Sequence, residues 1–173
     1  MAEKEAEYLR LAYSSSYDQL QSQKDDLRAI RGQASLAIAF ITFLGTFGAT
    51  FLGSDGLRHL FADDGELHFL GLSVSGVVLL TVLAVSLALS ILVVVRVGIC
   101  VFSLTSETYL HFAERETEEM IAFRHFLSEM DKHFENNEAV ISSARVNLTL
   151  ALALGWVQLF PWMLLWAEAR HGN

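Results

Sequence analysis

The stretch Leu67–Val95, LHFLGLSVSGVVLLTVLAVSLALSILVVV, decides the fold class. It holds no Asp, Glu, Lys or Arg, and apart from His68 near its start its only polar side chains are small hydroxyls. A bilayer's hydrocarbon core is about 30 Å thick and takes about 20 apolar residues in helical form. The run exceeds that length, and a buried helix of a water-soluble protein seldom runs so far without a polar face. It reads as a membrane span. As one helix it would extend about 43 Å, so it must tilt or project beyond the hydrocarbon. Arg96 then marks the headgroup level.

Two further charge-free runs flank it. Gln33–Gly53, QASLAIAFITFLGTFGATFLG, is just long enough to cross. Gly45, Gly48, Ala49 and Gly53 cluster near its far end; small residues let helices approach closely in lipid, though glycine is also simply common in such helices. Val146–Ala167, VNLTLALALGWVQLFPWMLLWA, is the third span, with Trp156, Trp162 and Trp166 placed for an interfacial aromatic belt. Pro161 predicts a kink, since its missing N–H frees a carbonyl one turn earlier. Gln158 either bonds across helices or sits at a wet interface. Of the hydroxyls in the middle span, Ser75, Ser86 and Ser90 come nearest to sharing a face. They would line a pore or, more commonly, bond back to their own helix. Ser86, Ser90 and Gln158 are the candidate polar groups inside the membrane.

The polar segments also read as helix. Residues 1–32 contain the row Leu9, Tyr13, Ser16, Leu20, Gln23, Leu27, Ile30 and on to Ala34, spaced alternately by four and three. That is a coiled-coil-like seam, narrow enough to need a partner helix. Residues 54–66 form a short connection with turn signals at Asp55-Gly56 and Asp64-Gly65, and Leu57, Leu60 and Phe61 suit an interfacial turn. Segment 96–145 is expected to continue as helix from Ile99 to Glu135, with a bend near Gly98 or Glu114, and to break at Asn136-Asn137. Its seam is Met120, Phe123, Leu127, Met130 and Phe134. The two seams can pair, parallel or antiparallel, in one bundle. Packing and self-association are therefore expected at Leu20, Leu27, Ile30, Gly45, Gly48, Ala49, Met120, Phe123, Leu127 and Met130.

Basic residues set the expected orientation. Lys24, Arg28 and Arg31 precede the first span, and Arg96, Arg115, Arg124, Lys132 and Arg145 lie between the second and third. Loop 54–66 has Arg58 alone among several acids. The positive-inside rule puts residues 1–32 and 96–145 in the cytoplasm, and the loop and the tail 168–173 outside. No secretory leader opens the sequence, so the first span is expected to direct insertion. The expectation is one all-α domain of 173 residues, a multi-pass protein of the cell's inner membrane.

Composition narrows the function. Hydrophobic residues make up 53% and the formal net charge is -8, which disfavours nucleic acid as a partner. One cysteine, Cys100, excludes an internal disulfide. His125, Glu129 and His133 stand four apart, a spacing that can hold a metal, but HExxH is absent and a Glu–His pair on a wet helix is the commoner meaning. No phosphate loop, nucleophile elbow or Cys–His pair appears, and no inverted repeat or buried ionisable group marks an ion-coupled transporter. No cofactor, metal or enzyme activity is expected.

Two stretches carry a resemblance: YDQLQSQKDDLRAIRGQASLAIAFITFLGTF at 17–47 and HFENNEAVISSARVNLTLALALGWVQLF at 133–160. In each, a polar helix runs straight into a span, and the layout resembles the SLATT-type and Pycsar-type small transmembrane effectors of bacterial antiphage nucleotide signalling. The resemblance covers the ends and the general layout, and no nucleotide-sensing domain is recognisable in these residues. It implies self-association and membrane disruption after a defence signal. The leading expectation is an oligomeric effector that permeabilises or depolarises the inner membrane, with the lipid bilayer and further copies of itself as partners. The alternative is a non-catalytic accessory subunit docking a larger membrane complex through its cytoplasmic helices; a membrane enzyme ranks third.

Overall fold

In the computed structural model every regular element is an α-helix, and residues 2–58, 60–61, 72–95, 100–105, 108–110, 112 and 119–171 are described. Helix α1 spans Ala2–Arg58, α2 Val74–Val95, α3 Glu119–Val157 and α4 Leu159–His171. Three helical stretches are long and apolar enough to cross a membrane. The chain divides into two units, one of Met1–Ile30 with Val97–Ala144, the other of Arg31–Arg96 with Arg145–Asn173.

In the first unit the α1 row from Leu9 to Ile30 faces inward, with Leu20, Gln23, Leu27 and Ile30 buried. Leu20 shares a core with Leu104, Phe126 and Met130, against which Tyr13, Phe112 and Phe123 pack. Partners climb both helices together: Arg10 pairs with Glu119, Tyr13 stacks edge-on against Phe123, and Gln23 donates to the Phe134 carbonyl. Here α1 and α3 therefore run parallel, which settles the alternative left open by the seams. Phe126, absent from the expected seam, is buried while Leu127 is half-buried.

Segment 96–145 departs from expectation in two places. Cys100–Thr105 is not helical. Its backbone is held by side-chain amides: Asn137 Nδ2 donates to the Val101 carbonyl (2.9 Å) and Asn137 Oδ1 accepts from the Val101 N–H (3.1 Å), while Gln21 Nε2 donates to the Phe102 carbonyl (2.9 Å). Nor does α3 break at Asn136-Asn137; it runs unbroken to Val157. Asn137 lies on the buried stripe with Met130, Ile141 and Ala144. Its amide is spent on the neighbouring strap, so nothing competes with its own helix.

In the second unit α2 begins at Val74, later than the expected Leu67; residues 67–71 lie outside the described residues. Ser73 starts it as a cap: its Oγ accepts from the Gly76 N–H at 3.1 Å, satisfying one of the free donors of the first turn. The Ser73 N–H donates to the Leu60 carbonyl, and Phe61 and Leu72 form an isolated antiparallel bridge. Gly76 permits this approach, since a Cβ there would come 2.5 Å from the Leu60 oxygen. With 22 residues, α2 measures about 33 Å and matches a bilayer without the expected surplus. α1 passes through Asp55-Gly56 as helix but kinks at Gly53 (φ 67°, ψ −175°), a backbone region open in practice only to glycine.

Candidate functional site

No catalytic constellation forms from the expected residues. His125 is exposed and packs on the Phe112 ring, while Glu129 accepts from Lys132 Nζ at 2.6 Å. That hydrogen bond holds the Glu129 carboxyl below its usual range. Among the described residues no three His, Cys, Asp or Glu side chains gather to hold a metal. Tyr13 and Tyr109 share a hydroxyl–hydroxyl bond inside the aromatic cluster; burial first, and that bond second, push the Tyr13 phenol upward.

The unusual chemistry lies in the second unit, where the usual placement of polarity is inverted. Outward-facing positions carry large apolar side chains, among them Leu36, Phe43, Phe47, Val78, Val85, Ile91, Leu92, Leu150 and Phe160. A few polar groups face inward. Ser86, Ser90 and Gln158 are all fully buried. Ser86 Oγ donates to the Leu83 carbonyl (2.9 Å) and Ser90 Oγ to the Ser86 carbonyl (3.0 Å), so both hydroxyls serve their own helix. Gln158 Nε2 reaches the Ile41 carbonyl across the interface at 3.4 Å, and its Oε1 finds no partner among the described residues.

Pro161 explains the turn at Gln158. The proline cannot donate to the carbonyl of Val157 four residues earlier. The helix ends at Val157, turns at Gln158 and restarts at Leu159. The kink expected from Pro161 thus falls one turn upstream.

Small residues set the packing distances. A Cβ on Gly48 would enter the Trp162 indole, and one on Gly155 would press on Ile41 Cγ1 at 3.0 Å. Gly45 is looser, 3.5 Å from Leu83 Cδ1, and Ala49 is half-buried. Of the expected packing residues in the first unit, Leu20, Leu27, Ile30 and Met130 are buried and Met120, Phe123 and Leu127 half-buried. Gly155 and the amides of Asn137 and Gln21 went unnoticed as packing groups. The signal for Asn137 was present, since Met130, Asn137, Ile141 and Ala144 keep the steps of the buried seam.

Beside Gly48 a cleft of about 330 Å³ opens between α1 and α4, walled by Phe47, Phe51, Trp162, Met163 and Trp166. Phe43, Phe47 and Phe51 stack in sequence along α1, and Phe51 meets Trp166. Arg170 lays its guanidinium over Trp166, 4.2 Å from the ring centre. Comparison with known protein families, curated proteins and solved structures finds no match to this chain.

Proposed function

We propose that the chain is a three-span inner-membrane protein that self-associates and permeabilises or depolarises the membrane, as its resemblance to SLATT-type and Pycsar-type effectors implies. The second unit lies in the bilayer in this reading. The first unit stands in the cytoplasm and the C-terminal tail outside, as the distribution of Lys and Arg favours.

One observation supports the reading above others. Only 11% of the apolar window of α1, 22% of that of α2 and 33% of the last window is buried within a single chain. In water, that much exposed apolar surface would drive aggregation; in lipid it is solvated, and the exposed apolar faces are open to lipid or to neighbouring helices. An effector that acts by assembling needs no catalytic group of its own.

The test has two parts. Detergent-extracted particles should have the mass of several copies, and triggered expression in cells carrying a potential-sensitive dye should collapse the membrane potential. A monomeric particle, or a potential that holds on activation, contradicts the proposal.

An accessory-subunit reading draws on a different observation. In the first unit Tyr8 (72% exposed), Leu11 (60%), Leu110 and Ile121 present apolar surface to water, as a docking face would. Co-purification of a foreign protein in fixed proportion would favour this second reading over the first.

A further inference from the structure

We infer that the cleft between α1 and α4 is a binding site for one lipid of defined charge, an anionic phospholipid whose acyl chain lies in the cleft and whose phosphate meets Arg170. This rests on the membrane reading proposed above.

The cavity argument comes first. An engineered apolar cavity of about 150 Å³ holds a benzene. The space beside Gly48 is about 330 Å³, roughly twice that, with the stacked rings of Phe47 and Phe51 on one wall and Trp162, Met163 and Trp166 on the other. Gly48 sets how closely this wall approaches α1: any side chain there would collide with the Trp162 indole. A flexible hydrocarbon chain fits such a slot because dispersion contacts with aromatic faces need no particular register.

Charge then selects the headgroup. Trp166, at one end of the cleft, carries the Arg170 guanidinium over its face, a cation–π arrangement that fixes the cation where the apolar wall stops. Arg170 forms no ion pair among the described residues. The nearest carboxylate in sequence, Glu168, sits on the opposite face of the helix and accepts from Ser75 Oγ at 2.8 Å. The guanidinium keeps its donors for a phosphate, which its planar fork suits. Tryptophan at headgroup depth is itself the usual marker of the interface.

The experiment uses the full chain in phosphatidylcholine vesicles containing a minor fraction of lipid with brominated acyl chains, which quench tryptophan on contact. Trp156→Phe removes the tryptophan that lies outside the cleft. Brominated phosphatidylglycerol should half-quench Trp162 and Trp166 at about fivefold lower mole fraction than brominated phosphatidylcholine, the factor that one basic side chain near an anionic surface supplies. Arg170→Gln, an exposed position, should erase the preference while leaving helicity unchanged, and Arg170→Lys should keep part of it. Equal quenching by the two lipids, or a preference that survives Arg170→Gln, overturns the site. So does protection from both lipids, the outcome expected if a second copy fills the cleft. Alkaline extraction of the same vesicles separates the two failures: chain retained in the pellet leaves the membrane reading standing, whereas chain released into the supernatant removes it too.

Discussion

Asn137 offers the sharpest test of how the first unit is held together. It is buried on α3 and clasps Val101 through both amide groups, donating to the carbonyl and accepting from the N–H. Asn137→Leu keeps similar bulk but leaves two backbone groups without their partner. An orphaned buried group costs about 1–3 kcal/mol. Val101 is half-buried, so water reaches it on opening and the lower end applies to each group, about 2 kcal/mol in all. That figure corresponds to about a thirtyfold rise in local opening. Hydrogen–deuterium exchange on the detergent-solubilised full chain reads it directly, because the Val101 amide is one of the two bonds lost. Exchange at Val101 should accelerate by that factor, while α2 around Ser86 and Ser90 stays as slow as before. Gln21→Ala should loosen the same strap through Phe102, and the double variant should be non-additive, since both residues hold one segment. Unchanged exchange at Val101 in Asn137→Leu would refute the reasoning, for it would mean that Leu104 in the core holds the strap unaided.

Other outcomes follow from single contacts. Gly48→Ala should lower stability in detergent by about 1–3 kcal/mol, because the Trp162 indole must move, whereas Gly45→Ala should be neutral or slightly stabilising; thermal melts compare them. Gln158→Leu should leave stability unchanged or raised, since it removes an unpaired buried oxygen along with one long hydrogen bond, and loss of depolarisation in a well-folded variant would assign the amide a role in the assembled state. Gly53→Ala should cost about 1–3 kcal/mol from backbone strain alone, there being open space around the site. Glu129 has its carboxyl pKa lowered by Lys132, so its contribution is complete above the ordinary carboxylate pKa and is lost as pH falls through the lowered one. As a surface pair it is small, and Glu129→Gln should shift the neutral-pH unfolding free energy by less than about 0.5 kcal/mol.

What periodicity could reveal and what it could not divide cleanly along physical lines. The α1 row from Leu9 to Ala34 was readable because a helix that packs on one partner must repeat its buried positions, and the polar members Ser16 and Gln23 follow the same steps. Pro161 announced the end of α3 because a missing N–H acts locally. The start of α2 was misjudged because apolar character continues through Leu67–Leu72 although the helix begins only after the Ser73 cap. Asn136-Asn137 reads as a break because side-chain amides favour turns when nothing else engages them. At Asn137 the engagement is with Val101, far away in sequence, and no local pattern records it. The unwound Cys100–Thr105 is the other half of that contact and was hidden for the same reason. The cleft beside Gly48 was legible only as a glycine among small residues; that Trp162 lies on it depends on how α1 and α4 meet.

In the proposed topology α1, α2 and the α3–α4 stretch cross a bilayer with the polar helices on the cytoplasmic side. Labelling with a membrane-impermeant maleimide tests it most directly, with Cys100 first replaced by serine. Cysteine placed at exposed Ser54 should react in intact cells, whereas cysteine at exposed Asp18 should react only after the membrane is opened. Reaction of both positions in intact cells, or of Asp18→Cys alone, would contradict the account.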